Sequence, residues 1–271
     1  MAALRCLLAA LLLALFAAPL WAAPDFRDGG PVEAARIIDG ESVLLKDERV
    51  LRLVDIDVPS RGALAAEAKA ALAELLAGRS LTVKFAGSEK DRQGRLLAQL
   101  YADTLWVQGE LLGRGLARVA GSADQRIGLH EMLAIERRAR SARRGLWSDA
   151  SFAIVPAEEA GHHAGSFALA TGTVAGVSTS SNGLLLFFGA DTHTGLVLSV
   201  APDVARLCRD SGFDLAALAG KPVLTRGYID GSRRPTIAIT YPEQIEVLKK
   251  LRAQKKAAPN TRSGPPASQA E

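Results

Sequence analysis

Cysteine is almost absent from this 271-residue chain: Cys6 and Cys208 are the only two. Cys6 lies in an N-terminal stretch that reads as a removable leader, so a mature chain keeps Cys208 alone and can form no internal disulfide. Cys208 sits in the helical pattern ValAlaArgLeuCys and reads as a small buried hydrophobe. The fold must therefore be held by its core, and 48% hydrophobic residues supply one. The four histidines, His130, His162, His163 and His193, show no zinc-ligand spacing. A Walker loop, a dinucleotide glycine fingerprint and a GlyXaaSerXaaGly elbow are also missing, which excludes the commonest nucleotide-binding and serine-hydrolase signatures. The longest apolar run, Cys6 to Leu20, falls short of the roughly 20 residues of a spanning helix. Arg5 precedes it, and TrpAlaAla (21–23) ends it before Pro24. Residues 1–23 thus read as a secretory signal peptide, with an uncleaved anchor as the alternative. An exported protein, periplasmic or extracellular, is expected.

The body of the chain also lacks a positive excess. The net charge is +4, but residues 249–271 alone carry Lys249, Lys250, Arg252, Lys255, Lys256 and Arg262 against Glu271. Residues 24–248 are left at −2. Nucleic-acid binding by the body must then rest on a local patch, while the basic, Pro/Ser/Ala-rich tail reads as disordered.

What is present centres on Arg36 to Pro59. Two β-branched runs, Ile37-Ile38 with Val43–Leu45 and Val50–Val58, are punctuated by Asp39-Gly40 and Lys46-Asp47, the grammar of hairpins. Strand alternation puts Leu51, Leu53, Asp55 and Asp57 on one face and Arg52, Val54 and Ile56 on the other. A bulge or a strand end is needed to bring Arg52 and Asp57 to one site. Carboxylates gathered with an arginine can hold a hard cation beside a phosphate, although a solvated face with surface ion pairs explains the same residues.

Upstream, residues 24–33 read as an irregular lead-in. Downstream, Leu64–Ala77 reads as a helix stopped at Gly78, Leu81–Phe85 and Arg95–Ala102 as strands, and Val107–Arg114 as a helix stopped at Gly115. Asp124 is the expected N-cap of a helix running to about Arg143. Its basic run, Arg137, Arg138, Arg140, Arg143 and Arg144, reads as a solvated face. Residues 150–166 read as a linker. A second strand-rich unit follows over residues 167–248, with a hairpin at Ser181-Asn182-Gly183, a helix at Pro202–Ser211 and a possible terminal helix from Glu243. The pattern is α+β: a small antiparallel barrel with helices beside it, then a second OB-type barrel. Phe187, Phe188, Tyr228 and Tyr241 are the aromatics of that second barrel, and Arg226, Arg233 and Arg234 a candidate anion patch.

Five stretches in order carry a resemblance: IleAspGlyGluSerVal (38–43), ArgLeuValAspIleAspValPro (52–59), AspArgGlnGlyArgLeuLeuAla (91–98), LeuLeuGlyArgGlyLeuAla (111–117) and ArgArgGlyLeuTrp (143–147). Together residues 35–149 resemble the staphylococcal nuclease (thermonuclease) family. The resemblance implies an OB-fold that binds one Ca²⁺ beside the scissile phosphate of DNA or RNA. It places the metal on Glu41, Asp57 and the carbonyl of Val58, and the phosphate on Arg52 and Arg95. Trp147 matches the family's near-terminal tryptophan, a packing anchor. Three positions depart from the family pattern. Glu41 stands for an Asp, Val58 for a Thr, and Ser60 for the Glu proposed as general base. Serine is a poor base at neutral pH, so the expected nuclease is impaired. Glu67 is the nearest downstream acid. The alternative is a binding module for nucleic acid or a protein partner that keeps the nuclease fold without its catalysis.

Overall fold

The computed structural model describes residues 24–189 and 195–248. The leader expected at 1–23, the tail at 249–271 and His193 lie outside the described residues. Among the described residues no helix is long and apolar enough to cross a membrane.

The first barrel is built from β1 (Arg27–Val32), β2 (Ala34–Ile37), β3 (Ser42–Leu45), β4 (Val50–Leu53), β6 (Leu81–Phe85) and β7 (Leu96–Ala102). The strands pair in the order β1-β6-β7-β4-β3-β2. The two ends of that path are consecutive in the chain, separated only by Glu33, so the sheet returns on itself. Helix α1 (Gly62–Leu76) crosses from β4 towards β6, and β4 and β7 run parallel with Arg52 opposite Leu97. The short strands β5 (Ile56–Asp57) and β9 (Arg118–Val119) pair with each other, and β8 (Leu105–Trp106) extends β7. Helices α2 (Val107–Arg114) and α3 (Leu129–Ser141) pack alongside. α2 ends where predicted, because Gly115 takes the left-handed conformation (φ 73°) and caps it on the carbonyls of Leu111 and Leu112.

The second barrel repeats the plan. Its strands are β11 (Phe167–Ser180), β12 (Gly183–Phe188), β13 (Val197–Val200), β14 (Pro222–Asp230) and β15 (Thr236–Ile239), with helix α4 (Pro202–Asp210) between β13 and β14. They pair as β11-β12-β13-β15-β14, and β14 returns to β11, closing five strands with β13 parallel to β15. This is the OB-fold order, and the first barrel follows it with β1 and β2 as two halves of one bent strand. Cys208 is fully buried on α4, as its pattern predicts.

Four segments differ from the sequence expectation. Residues 27–32 are a strand, because the open edge of β6 takes a partner there. The ladder tolerates GlyGlyPro through a bulge between Asp28 and Pro31, with Gly30 at φ 84°. α3 starts at Leu129, behind Gly128 at φ 84°, and Asp124 does not cap it. Asp124 instead accepts from Ser122 Oγ (2.8 Å), while Gln125 Nε2 donates to the Ser88 carbonyl (2.7 Å) and pins the turn. Residues 245–247 form a strand, β16, because β14 has a second edge to satisfy and Ile245 completes the core. Between residues 145 and 163 the chain runs through short 3₁₀ turns and β10 (Val155–Pro156), and it buries Val155, Ala157 and Ala160 in the second core.

The barrels are joined through charge and one aromatic. Arg226 on β14, a candidate anion-patch residue by sequence, is instead buried. It donates to Glu136 on α3 through both Nη atoms (2.9 and 3.0 Å), to the Val119 carbonyl (3.1 Å) and to Glu246 (2.6 Å). Burial alone depresses a guanidinium, but the two carboxylates more than offset it and hold Arg226 above its ordinary range. Arg137 and Arg140, read as a solvated face, turn towards the same Glu246. Tyr241, from the end of the second barrel, sits in the core of the first.

Candidate active-site cleft

Local folding assembles the cleft from the turn between β2 and β3, the segment after β5 and the start of α1. Asp39 Oδ1 accepts from the Glu41 amide (2.9 Å) and tightens the first turn. Gly40 is required there: a Cβ would lie 2.6 Å from Val58 Cγ1 and 2.9 Å from Ala68 Cβ. The second device is the strand end that alternation demanded. β4 stops at Leu53, and Asp55 adopts φ 65°, so β5 starts with its faces reset. The resulting cleft, about 260 Å³, is lined by Asp39, Gly40, Glu41, Val58, Pro59, Ser60, Ala65, Ala66 and Lys69.

Glu41 is the chemical centre of this cleft. Its Oε1 accepts from Arg52 Nη1, and its Oε2 is buried with no hydrogen-bond partner. Burial pushes the carboxyl above its ordinary range, Arg52 opposes that, and Asp39 and Asp57 add to the rise. Asp57 therefore lies close enough to act on Glu41, yet its own ion pair is with Arg118. Arg118 donates to Asp57 Oδ2 from Nε (3.0 Å) and Nη2 (2.6 Å). Arg95 reaches the same end of the sheet by register, since Leu96 beside it pairs with Leu51 beside Arg52. Asp91 accepts from Arg95 Nε (2.6 Å) and from its amide (2.9 Å), an arrangement that aims the guanidinium and leaves its Nη fork uncapped by Asp91. Ser60 lines the cleft, whereas Glu67 is exposed and lies outside the lining.

The donor set suits a hard cation. A desolvated carboxylate oxygen without a partner, in the field of Asp39 and Asp57, gains from a positive charge placed near it. Among the described residues, no group of three or more His, Cys, Asp or Glu forms a ready-made metal cluster. A site here would draw on two carboxylates and a backbone carbonyl.

Sequence reasoning missed Arg118 and Lys69. Arg118 meets its partner Asp57 across 61 residues of chain, and no local pattern announces that. Lys69 adds a cation from α1 to the cleft wall. Asp55 is buried and accepts from Gln99 Nε2 (2.8 Å), while Gln99 Oε1 accepts from Trp106 Nε1 (2.8 Å). Burial holds its carboxyl well above the usual range, and Asp124 adds to that.

A closed barrel of OB order, with a helix-flanked cleft whose Glu41 is paired with Arg52 at its end, fits a nuclease-type fold. Comparison with known proteins agrees. Residues 50–149 match the model of the family described as staphylococcal nuclease homologue. The chain is 36% identical over 162 residues to "Protein ParB" of Escherichia coli, spanning 52% of this chain and 82% of that protein. It is 34% identical over 165 residues to the "Micrococcal nuclease" of Shigella flexneri, spanning 55% and 87%. It is 39% identical over 110 residues to the "Probable staphylococcal-like nuclease CAN1" of Oryza sativa subsp. japonica, but spans only 31% of that longer protein. The chain belongs to the staphylococcal nuclease family.

Proposed function

We propose that this protein is an exported, metal-dependent phosphodiesterase that hydrolyses nucleic acid slowly. The observation that carries the reading is Glu41 Oε2, buried and unpartnered in a cleft walled by Asp39, Ser60 and Lys69. The family, and relatives named as nucleases, support it. In this reading residues 35–149 are the catalytic unit, residues 167–248 an OB-like accessory unit, and residues 1–23 a leader removed on export. Glu41, Asp57 and the Val58 carbonyl would hold Ca²⁺. When bound, such an ion polarises a phosphoryl oxygen and offsets developing charge.

The chain's own side chains supply the rest. Arg52, anchored by Glu41, and Arg95, aimed by Asp91, present fork donors that match phosphate oxygens and stabilise charge as the phosphorus is attacked. Gly40 lets the metal-side turn approach Val58. Ser60 stands where a base would take the proton of the attacking water, and a hydroxyl does that poorly.

Cleavage of single- and double-stranded DNA, with Ca²⁺ and with chelator, tests this in the native chain, Ser60→Glu and Arg95→Ala. The native chain should cut slowly and only with Ca²⁺. Ser60→Glu should gain about 10²–10⁴-fold, and Arg95→Ala should lose about 10²–10³-fold. A second reading, a binding module without catalysis, is favoured by Ser60 itself. It takes over if neither the native chain nor Ser60→Glu cuts while both bind DNA.

A further inference from the structure

The outer face of β11 and β14 is used twice, and only one use is structural. On β14, Val223 and Ile229 face the second core, so alternation sends Leu224, Arg226 and Tyr228 to the opposite face. Their partners on β11 are Thr171, Leu169 and Phe167. Leu169, Leu224 and Arg226 are buried, and Arg226 docks on Glu136 and Val119 of the first barrel. The last pair on this face is different. Tyr228 is 69% exposed, the most exposed large hydrophobic side chain among the described residues. Its ring meets Phe167 edge-on, with centroids 5.6 Å apart. Phe167 in turn lies 4.9 Å from the Arg118 guanidinium, Phe152 lies 5.2 Å from it, and Arg118 holds Asp57. An aromatic run thus leads from open solvent on the second barrel to Asp57 on the first, next in the chain to the cleft residue Val58.

We infer that Tyr228, braced by Phe167, is a stacking subsite for an unpaired base of single-stranded nucleic acid, lying beside the cleft. This rests on the nuclease reading of that cleft. A large ring left in water costs hydrophobic free energy, and one propped by a second ring is already ordered for a flat partner. Every nucleobase offers a π-face, so a single ring at the rim binds without sequence preference. Bases inside a duplex are stacked and paired, so the subsite selects single strands. Arg118 joins the subsite to the cleft: the same guanidinium that packs on Phe167 fixes the carboxylate of Asp57.

The test is binding of labelled oligonucleotides to the full chain in chelator, where no cleavage occurs. The probes are a single strand, the same strand with abasic sites throughout, and a duplex. Tyr228→Ala should weaken single-strand binding by about 5- to 100-fold, leave duplex binding and thermal stability unchanged, and be rescued by Tyr228→Trp. The abasic strand should bind the native chain as weakly as the normal strand binds Tyr228→Ala. Unchanged single-strand affinity in Tyr228→Ala, with loss in Arg95→Ala, would overturn the stacking subsite and leave the cleft reading standing. An equal loss on all three probes would also overturn it. If the native chain binds none of the probes, the stacking subsite fails, and cleavage with Ca²⁺ decides the cleft reading separately.

Discussion

In the first barrel a half-buried glutamate meets an arginine and still has an oxygen to spare; in the second an arginine meets two glutamates and a carbonyl. Glu41–Arg52 sits at the barrel end, partly open, with Oε2 unpartnered. Arg226–Glu136–Glu246 sits between the barrels, with both Nη atoms of Arg226 on carboxylates, its Nε left unpartnered, and Arg140 on Glu136. The strand order is shared, so topology does not decide the fate of charge. Placement does: a charge at the mouth of a barrel can wait for a ligand, whereas one sealed between two surfaces must find its counter-charge within the protein.

The largest test of that contrast is Glu136→Gln. It leaves Arg226 buried with a weakened set of partners, and stability should fall by roughly 3–5 kcal/mol. Urea denaturation followed by tryptophan fluorescence measures it. Pairing it with Arg226→Met should recover much of the loss, because the uncompensated charge goes too. If Glu136→Gln costs less than about 1 kcal/mol, as exposed pairs do, the barrels are not held by this network.

A smaller effect separates packing from function. Gly40→Ala and Gly172→Ala each force a methyl into close contact, the first 2.6 Å from Val58 Cγ1 and the second 2.8 Å from Phe188 Cδ1. Each should cost about 1–3 kcal/mol. Only Gly40→Ala should also reduce Ca²⁺-dependent cleavage, because it moves Glu41 and Val58. Equal cleavage losses in the two variants would place the chemistry outside the first barrel's cleft.

The smallest effect is a pH dependence. Asp55 has a folded pKa above its ordinary 3.8, so the folded state binds its proton more tightly than the unfolded chain. Its contribution is complete below the ordinary value and is lost as pH rises towards the folded value, after which it is flat. Asp55→Asn keeps an acceptor for Gln99 and removes that slope. Stabilities of the two proteins should agree near about pH 4 and diverge in favour of the variant by neutral pH, by denaturant melts across that range. Parallel curves would mean that Asp55 ionises freely in the fold.

Most of the first barrel was legible because its signals are local. Gly115 ends α2, Asp39-Gly40 turns the hairpin between β2 and β3, and the five motifs fall in order along one segment. The elements that misled were those whose partner lies far away. Residues 27–32 become a strand only because β6 has an edge to fill, and residues 245–247 only because β14 does. Asp124 has the chemistry of a cap and is used in a turn against Ser88 instead.

The sequence by itself determined the β-rich character and the disulfide-free core, which follow from residue identity and short-range periodicity. Its resemblance to the nuclease family singled out Glu41, Arg52, Asp57, Arg95 and Ser60 as candidates. The tertiary structure alone decided that Arg118 pairs with Asp57, that Arg226 is buried and not a surface anion patch, and that Tyr228 stands exposed against Phe167. Those outcomes depend on which surfaces meet across 60 to 110 residues of chain. Burial and charge pairing are properties of two surfaces together, and neither is written in the residues of one.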